Sequence, residues 1–170
     1  MTRTLILTRH AKSSWDTPAL SDHDRPLNKR GRNSAAAIGE WLRDNNWLPD
    51  EVLSSSSTRT RETWDRIGLS ASNVNFTRDL YLAEPEDMLA CLAAASGETV
   101  LMLGHNPGIA EFASLIVQKA PPHPRFLDYP TCATSIIQFD IQDWSRVRWG
   151  SGKVLGFAIP RELLEHKRRG

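Results

Sequence analysis

Cysteine is scarce in this chain. The two present, Cys91 and Cys132, lie far apart and form no CxxC pair, so neither a disulfide scaffold nor a cysteine-rich metal site follows, and a reducing compartment is the expected setting. Long apolar runs are missing too. No stretch approaches the roughly 18 residues of a membrane span, and the run ahead of Arg9 is too short for a signal-peptide core. A cytoplasmic location without a membrane partner is therefore expected. Neither sign of charge dominates: 21 Lys plus Arg face 20 Asp plus Glu for a formal +1, and no global field steers the chain toward nucleic acid. Repeats and linkers are absent. One domain over residues 1–161 is expected, with 162–170 a short charged tail, helical at first.

What is there alternates. Leu5-Ile6-Leu7 reads as a buried strand that stops at Arg9-His10. A polar loop with Pro18 and Pro26 follows, then a helix capped by Asn28 with Ala35, Ile38, Trp41 and Leu42 at helical spacing. Val52-Leu53 is a second strand, running into four serines that suit a strand end and helix cap, then a helix over 58–67. Val74–Phe76 is a third strand. A helix begins near Glu84 with Pro85 in its first turn. Thr99–Leu103 is the clearest buried strand; Gly104-His105-Asn106-Pro107-Gly108 turns sharply into a helix. A proline-rich loop over 120–130 leads to strands over 135–141 and 154–159. Such alternation predicts an α/β fold, a three-layer α/β/α sandwich on a largely parallel sheet. Ligands in such sheets bind beyond the strand C-termini, where Arg9-His10, Ser54–Arg61 and Gly104-His105 all fall.

Arginine's planar fork suits a phosphoryl group, which carries up to two charges and three acceptor oxygens. Arg9 alone could be a solvated strand end, and His10 alone a structural histidine. His105 lies beyond another buried strand among small residues that let a ligand approach the backbone, before a helix N-terminus that favours an anion. Arg59 and Arg61 sit near a helix N-terminus against its dipole; a bound anion explains that placement, as does an ion pair of Arg61 with Glu62 or Asp65. A neutral histidine can attack phosphorus, with arginines stabilising the transferring group. Zinc on His10 and His105 would need a third ligand such as Asp16, Asp22, His23 or Asp24, and the arginines repel a cation. No metal and no other cofactor is expected.

The segments Leu5–Trp15, Asp22–Gly31, Ser55–Thr63 and Leu103–Gly108 together resemble, in order, the motifs of the histidine phosphatase superfamily, also called phosphoglycerate-mutase-like, and within it the phosphohistidine phosphatase SixA group. The resemblance implies a three-layer α/β sandwich, His10 as the phosphorylated nucleophile, Arg9 and Arg59 as phosphate-binding arginines and His105 as the second histidine on the phosphoryl oxygens. It sets Ser13 near the pocket and Asp16 where larger relatives commonly have asparagine. Trp15 and Asn106 are further pocket candidates. Larger relatives supply a carboxylic acid to protonate the leaving group. Glu84 is the candidate here, and a helix N-terminal carboxylate held by the dipole is its competing explanation. Phosphohistidine needs no such help, because its imidazole leaves with a conjugate acid of pKa near neutrality, whereas an alcohol does.

The expected activity is a metal-independent phosphatase working through a phosphohistidine intermediate on phosphohistidine in proteins. A small-molecule phosphomonoester phosphatase and a non-catalytic phosphoprotein-binding module are the alternatives. Partners would be a phosphorylated protein or small phosphorylated metabolite, not nucleic acid, with no oligomer required. Lys12, Arg25, Lys29 and Arg30 could widen the positive field, or be paired off by Asp22 and Asp24. Trp144 and Trp149 beside Arg146 and Arg148 are too short a stretch for nucleic-acid binding.

Overall fold

The structure, a computed structural model, describes residues 1–169. Six strands form one sheet: β1 (Arg3–Arg9), β2 (Glu51–Ser55), β3 (Asn73–Thr77), β4 (Thr99–Gly104), β5 (Thr134–Phe139) and β6 (Lys153–Ala158). Their order is β3-β2-β4-β1-β5-β6. The first four strands in that order are parallel neighbours, and β5 and β6 are antiparallel additions at one side. Five helices connect or flank them: α1 (Lys29–Asp44), α2 (Thr58–Ile67), α3 (Pro85–Ala93), α4 (Gly108–Ile116) and α5 (Pro160–Arg169).

The period of two along each strand builds the three layers. Leu5, Leu7, Val100 and Met102 point to one face, where they pack with Met88 and Leu92 of α3 and Ile109, Phe112 and Ile116 of α4. Ile6, Leu101 and Leu103 point to the other, against Ala35, Ile38 and Leu42 of α1 and Ile67 of α2. Strands with helices on both faces have no polar face to show, so β1 and β4 read as unbroken apolar runs.

Local chemistry sets the helix ends. The Asn28 side chain accepts from the Gly31 amide at 2.8 Å, and the Ser57 side chain caps α2 by accepting from the Thr60 amide. Both occupy an orphan N–H of a first turn. Gly31 is also needed for space: a Cβ there would lie 2.1 Å from the Lys12 carbonyl oxygen, so α1 begins pressed against the backbone just after His10.

Three regions carry detail that residue order did not. The boundary expected near 161 falls inside α5, which runs from Pro160, seats Leu163 against the core and ties Lys167 to Glu40 at 2.9 Å. Trp144 is fully buried, with its indole N–H donating to the Gly97 carbonyl at 2.7 Å, so it is a core side chain. The long polar loop after β1 is ordered by a Ser13–Leu27 bridge and a 3-10 turn over Asp22–Asp24. No helix among the described residues is long and apolar enough to cross a membrane.

Candidate active site

The ends of β1, β2 and β4 meet at one rim. Arg9 pairs with Gly104 in the β1–β4 register, and the next amide, of His10, donates to the Gly104 carbonyl at 3.1 Å. This sets His10 beside His105, with ring centroids 5.2 Å apart. Arg59 arrives from the first turn of α2. Thr63, one turn on, fixes the distance between the two segments: its hydroxyl accepts from the Ala11 amide at 2.9 Å and donates to the Arg59 carbonyl at 2.7 Å. Arg9, His10, Arg59 and His105 then line one cavity of about 430 Å³ with Lys12, Ser13, Trp15, Asp22, Arg25, Leu82, Asn106 and Thr131.

Hydrogen bonding defines the tautomer of His10. Its Nδ1 lies 2.7 Å from the Ala11 carbonyl oxygen, which can only accept, so Nδ1 carries the proton and Nε2 keeps its lone pair. Burial, with the arginines Arg9, Arg59 and Arg25 acting in the same direction, lowers the His10 pKa to about 3. His105 is lowered to about 2 by burial, then by His10 and Arg59. Both rings are neutral throughout the physiological range. The Nε2 of His105 meets the Ser55 hydroxyl at 2.8 Å. If that hydroxyl donates, Nδ1 of His105 bears a proton with no partner in the protein.

Among the described residues, four buried side-chain nitrogen or oxygen atoms lack a hydrogen-bond partner: Arg9 Nε, Arg59 Nε, His105 Nδ1 and Asn106 Oδ1. All four belong to residues of this cavity. Buried polar groups are normally satisfied, so their gathering here marks a place built for something polar. Backbone strain gathers at the same place. Tyr129 has φ +47° and Leu82 φ +51°, conformations disfavoured outside glycine and common at functional sites. The Tyr129 carbonyl accepts from Arg9 Nη1 at 3.2 Å and from Asn106 Nδ2 at 3.3 Å.

Ser13, Trp15 and Asn106 line the cavity, Ser13 accepting from Arg25 Nη1 at 2.7 Å and Trp15 stacking 3.6 Å from the Arg25 guanidinium. Asp16 is exposed and stands outside it. Glu84, the candidate acid, is placed outside this cavity. It is exposed at the N-cap of α3 and lines a neighbouring depression with Arg78, Asp79 and Asp87. The carboxylate that does enter the cavity is Asp22, read from the sequence as a surface partner of the basic loop or a possible metal ligand. It accepts from Arg59 Nη2 at 2.9 Å, from Arg25 Nε at 3.2 Å and from the Tyr81 hydroxyl. The Tyr81 hydrogen bond, then Arg59 and Arg25, hold its carboxyl well below the usual carboxylate range. The i, i+3 spacing of Asp22 and Arg25 in a loop before Pro26 was the available signal. Tyr81 left no comparable mark.

A family model for the histidine phosphatase superfamily (branch 1) matches residues 5–85. A solved structure assigned as the phosphohistidine phosphatase SixA of Nakamurella multipartitia is 30% identical, with a TM-score of 0.81 over 94% of this chain and 97% of that one. The chain belongs to the histidine phosphatase superfamily. As a member of it, the protein is a phosphatase, and its α/β sandwich is the family's. A SixA assignment from Agrobacterium tumefaciens is 27% identical with a TM-score of 0.75, covering 93% and 98% of the two chains. A chloroplastic protein of Arabidopsis thaliana with uncharacterised activity is 34% identical, covering 94% of this chain and 79% of the relative. In this histidine phosphatase, the matched segment 5–85 contains Arg9, His10, Asp22, Arg25 and Arg59, whereas His105 lies beyond it. Among the described residues, no group of three or more His, Cys, Asp or Glu is disposed to hold a metal ion.

Proposed function

We propose that this protein hydrolyses phosphohistidine in proteins through a covalent phosphoryl intermediate on Nε2 of His10, in the cytoplasm and without a metal. The observation that carries the reading is the free Nε2 lone pair of a neutral His10 that shares one cavity with unpartnered N–H donors on Arg9 and Arg59 and with the unpartnered Nδ1 of His105. These donors match the equatorial oxygens of a transferring phosphoryl group. Two relatives assigned as phosphohistidine phosphatases favour the same substrate.

The reaction proceeds in two displacements. Nε2 of His10 attacks phosphorus, the P–N bond to the substrate imidazole breaks, and that ring leaves carrying its proton. Water then attacks the phosphoryl group on His10, the new P–N bond breaks, and inorganic phosphate departs while His10 regains its lone pair. Asn106 Oδ1, the one acceptor in the unpartnered set, suits a proton-bearing group such as that water.

Proton inventory separates this substrate from an alkyl phosphate. Asp22, the carboxylate lining the cavity, is ionised by its partners, and Glu84 lies outside. A sugar alkoxide would need an acid that the cavity does not offer, whereas a protonated phosphoimidazole does not. The test is turnover of a phosphohistidine protein, an aryl phosphate and a panel of sugar phosphates, each with and without chelator. Turnover of the first, unaffected by chelator and lost in His10→Ala, is the expected result. Sugar phosphates as the better substrates would overturn the substrate assignment. Phosphate binding without turnover of any substrate would leave a binding module in its place.

A further inference from the structure

We propose that Asp22 is a specificity-determining residue that matches the cavity's charge to a single phosphoryl group and rejects substrates carrying a second anionic group beside it. The inference rests on the phosphatase reading for its meaning, and on the geometry of Asp22 for its substance.

Four cationic side chains line the cavity, those of Arg9, Lys12, Arg25 and Arg59. With both histidines neutral, the one lining carboxylate, Asp22, reduces their sum from +4 to +3. A phosphoryl group brings about −1.5 to −2, which leaves the occupied cavity with a small positive excess. A phosphate with an adjacent carboxylate, at about −2.5 to −3, would use up that excess, and a diphosphate, at about −3 to −4, would cancel or reverse it. Without Asp22 the cavity would tolerate one more negative charge.

The carboxylate is fixed where it would be felt. One oxygen takes Arg59 Nη2 at 2.9 Å and the Tyr81 hydroxyl, and the other takes Arg25 Nε and Nη2, each at 3.2 Å. The Asp22 backbone carbonyl also accepts from Arg59 Nη1 at 2.6 Å. Each terminal nitrogen of Arg59 therefore spends one of its two N–H groups on residue 22, while its buried Nε has no partner in the protein. The 3-10 turn of Asp22–Asp24 closes this arrangement on the solvent side, with the Asp22 side chain 44% exposed. An anionic substituent projecting from a bound phosphoryl group toward that side meets a carboxylate whose own charge is already shared between two arginines.

The test measures binding of inorganic phosphate and of pyrophosphate to the wild-type protein and to Asp22→Asn by calorimetry. Asparagine keeps an acceptor for Arg59 and removes the charge. Pyrophosphate affinity should rise about tenfold more than phosphate affinity, the size expected of one charge a few ångström away at a solvent-facing site. The ratio of the two affinities is taken within one protein preparation, so a loss of folded or active fraction cancels. Equal changes for both anions, or none, would overturn the proposal and assign Asp22 to loop structure alone. Binding needs no turnover, so this result is independent of whether His10 is the nucleophile. In kinetics, Asp22→Asn should raise kcat/KM for an aryl phosphate bearing a ring carboxylate relative to the same aryl phosphate without it, chiefly through KM. Loss of all turnover in the wild type would refute the proposed function while leaving the binding ratio to be read.

Discussion

Charge is handled in opposite ways at the rim of the sheet and on the outer helices. On the periphery, Arg161 pairs with Glu165 at 3.3 Å, Lys167 with Glu40 at 2.9 Å and Arg125 with Asp128 at 3.0 Å, all on exposed side chains. At the rim, Arg59 is 2% exposed and Arg9 is half-buried, and each keeps a buried Nε with no partner. Exposed pairs are cheap and nearly neutral for stability. Buried cations with unmet donors are costly, and the fold retains two of them side by side. The difference teaches where the molecule gives up stability for chemistry. Burial depresses the Arg9 pKa, and although Asp128 partly counters this, Arg59 adds to it. A dianion between the two arginines would relieve both.

Substitutions at the rim and on the outer helices, and acid, sharpen the contrast. Arg59→Ala should lower kcat/KM by roughly 10²-fold or more, as expected for a group meeting charge that develops in the transition state; steady-state kinetics on an aryl phosphate measure it, and a loss below threefold would remove Arg59 from the chemistry. Arg9→Met keeps much of the volume and removes the buried charge. It should cost about 10²-fold in rate while thermal melting in phosphate-free buffer stays level or rises, because a buried cation is replaced by apolar packing. A lowered Tm with intact rate would contradict the contrast outright.

Acid should destabilise the rim before the periphery. The folded protein holds His10 at about 3 and His105 at about 2, against 6.5 for a free side chain. The unfolded chain therefore binds protons on these residues as pH falls from 6.5 toward 3 while the folded chain does not, so stability declines across that window. Asp22 has the opposite charge and a lower window. Its folded pKa is depressed below 3.8, so its contribution is present above that value and lost below it. Chemical denaturation at pH 7 and pH 5 should show a lower midpoint at pH 5, with a smaller drop in the His10→Asn, His105→Asn double variant. An equal drop in both would assign the acid sensitivity elsewhere. The smallest effects belong to the outer helices: Arg161→Ala and Lys167→Ala should each stay within about 0.5 kcal/mol of wild-type stability, with unchanged kcat/KM.

Much of this architecture was legible in residue order. Leu5–Leu7 and Thr99–Leu103 are apolar because both faces of their strands are covered, and runs of that kind can be read without a structure. Arg9, His10 and His105 follow directly from the strands that carry them, so their convergence came with the topology. Asp22 did not, because its partners lie 37 and 59 residues away in Arg59 and Tyr81. In sequence it was one acid among basic neighbours, which is also the pattern of an ordinary surface pair. Glu84 had two readings in the sequence, a cavity acid and a carboxylate at a helix N-terminus, and residue order alone did not choose between them. It follows Leu80-Tyr81-Leu82 and sits at the N-cap of α3, where it lines the next depression. Trp144 lay in a stretch of arginine and tryptophan whose burial depends on contacts with Phe139 and Gly97 from other segments.

The measurement closest to the central claim is chemical trapping of the intermediate. Wild-type protein mixed rapidly with a phosphohistidine protein or an aryl phosphate, then quenched in alkali, should carry an acid-labile phosphoryl group on the peptide containing His10. The same treatment of His10→Ala should leave none. Phosphoryl on another residue, or full turnover by His10→Ala, would contradict the account.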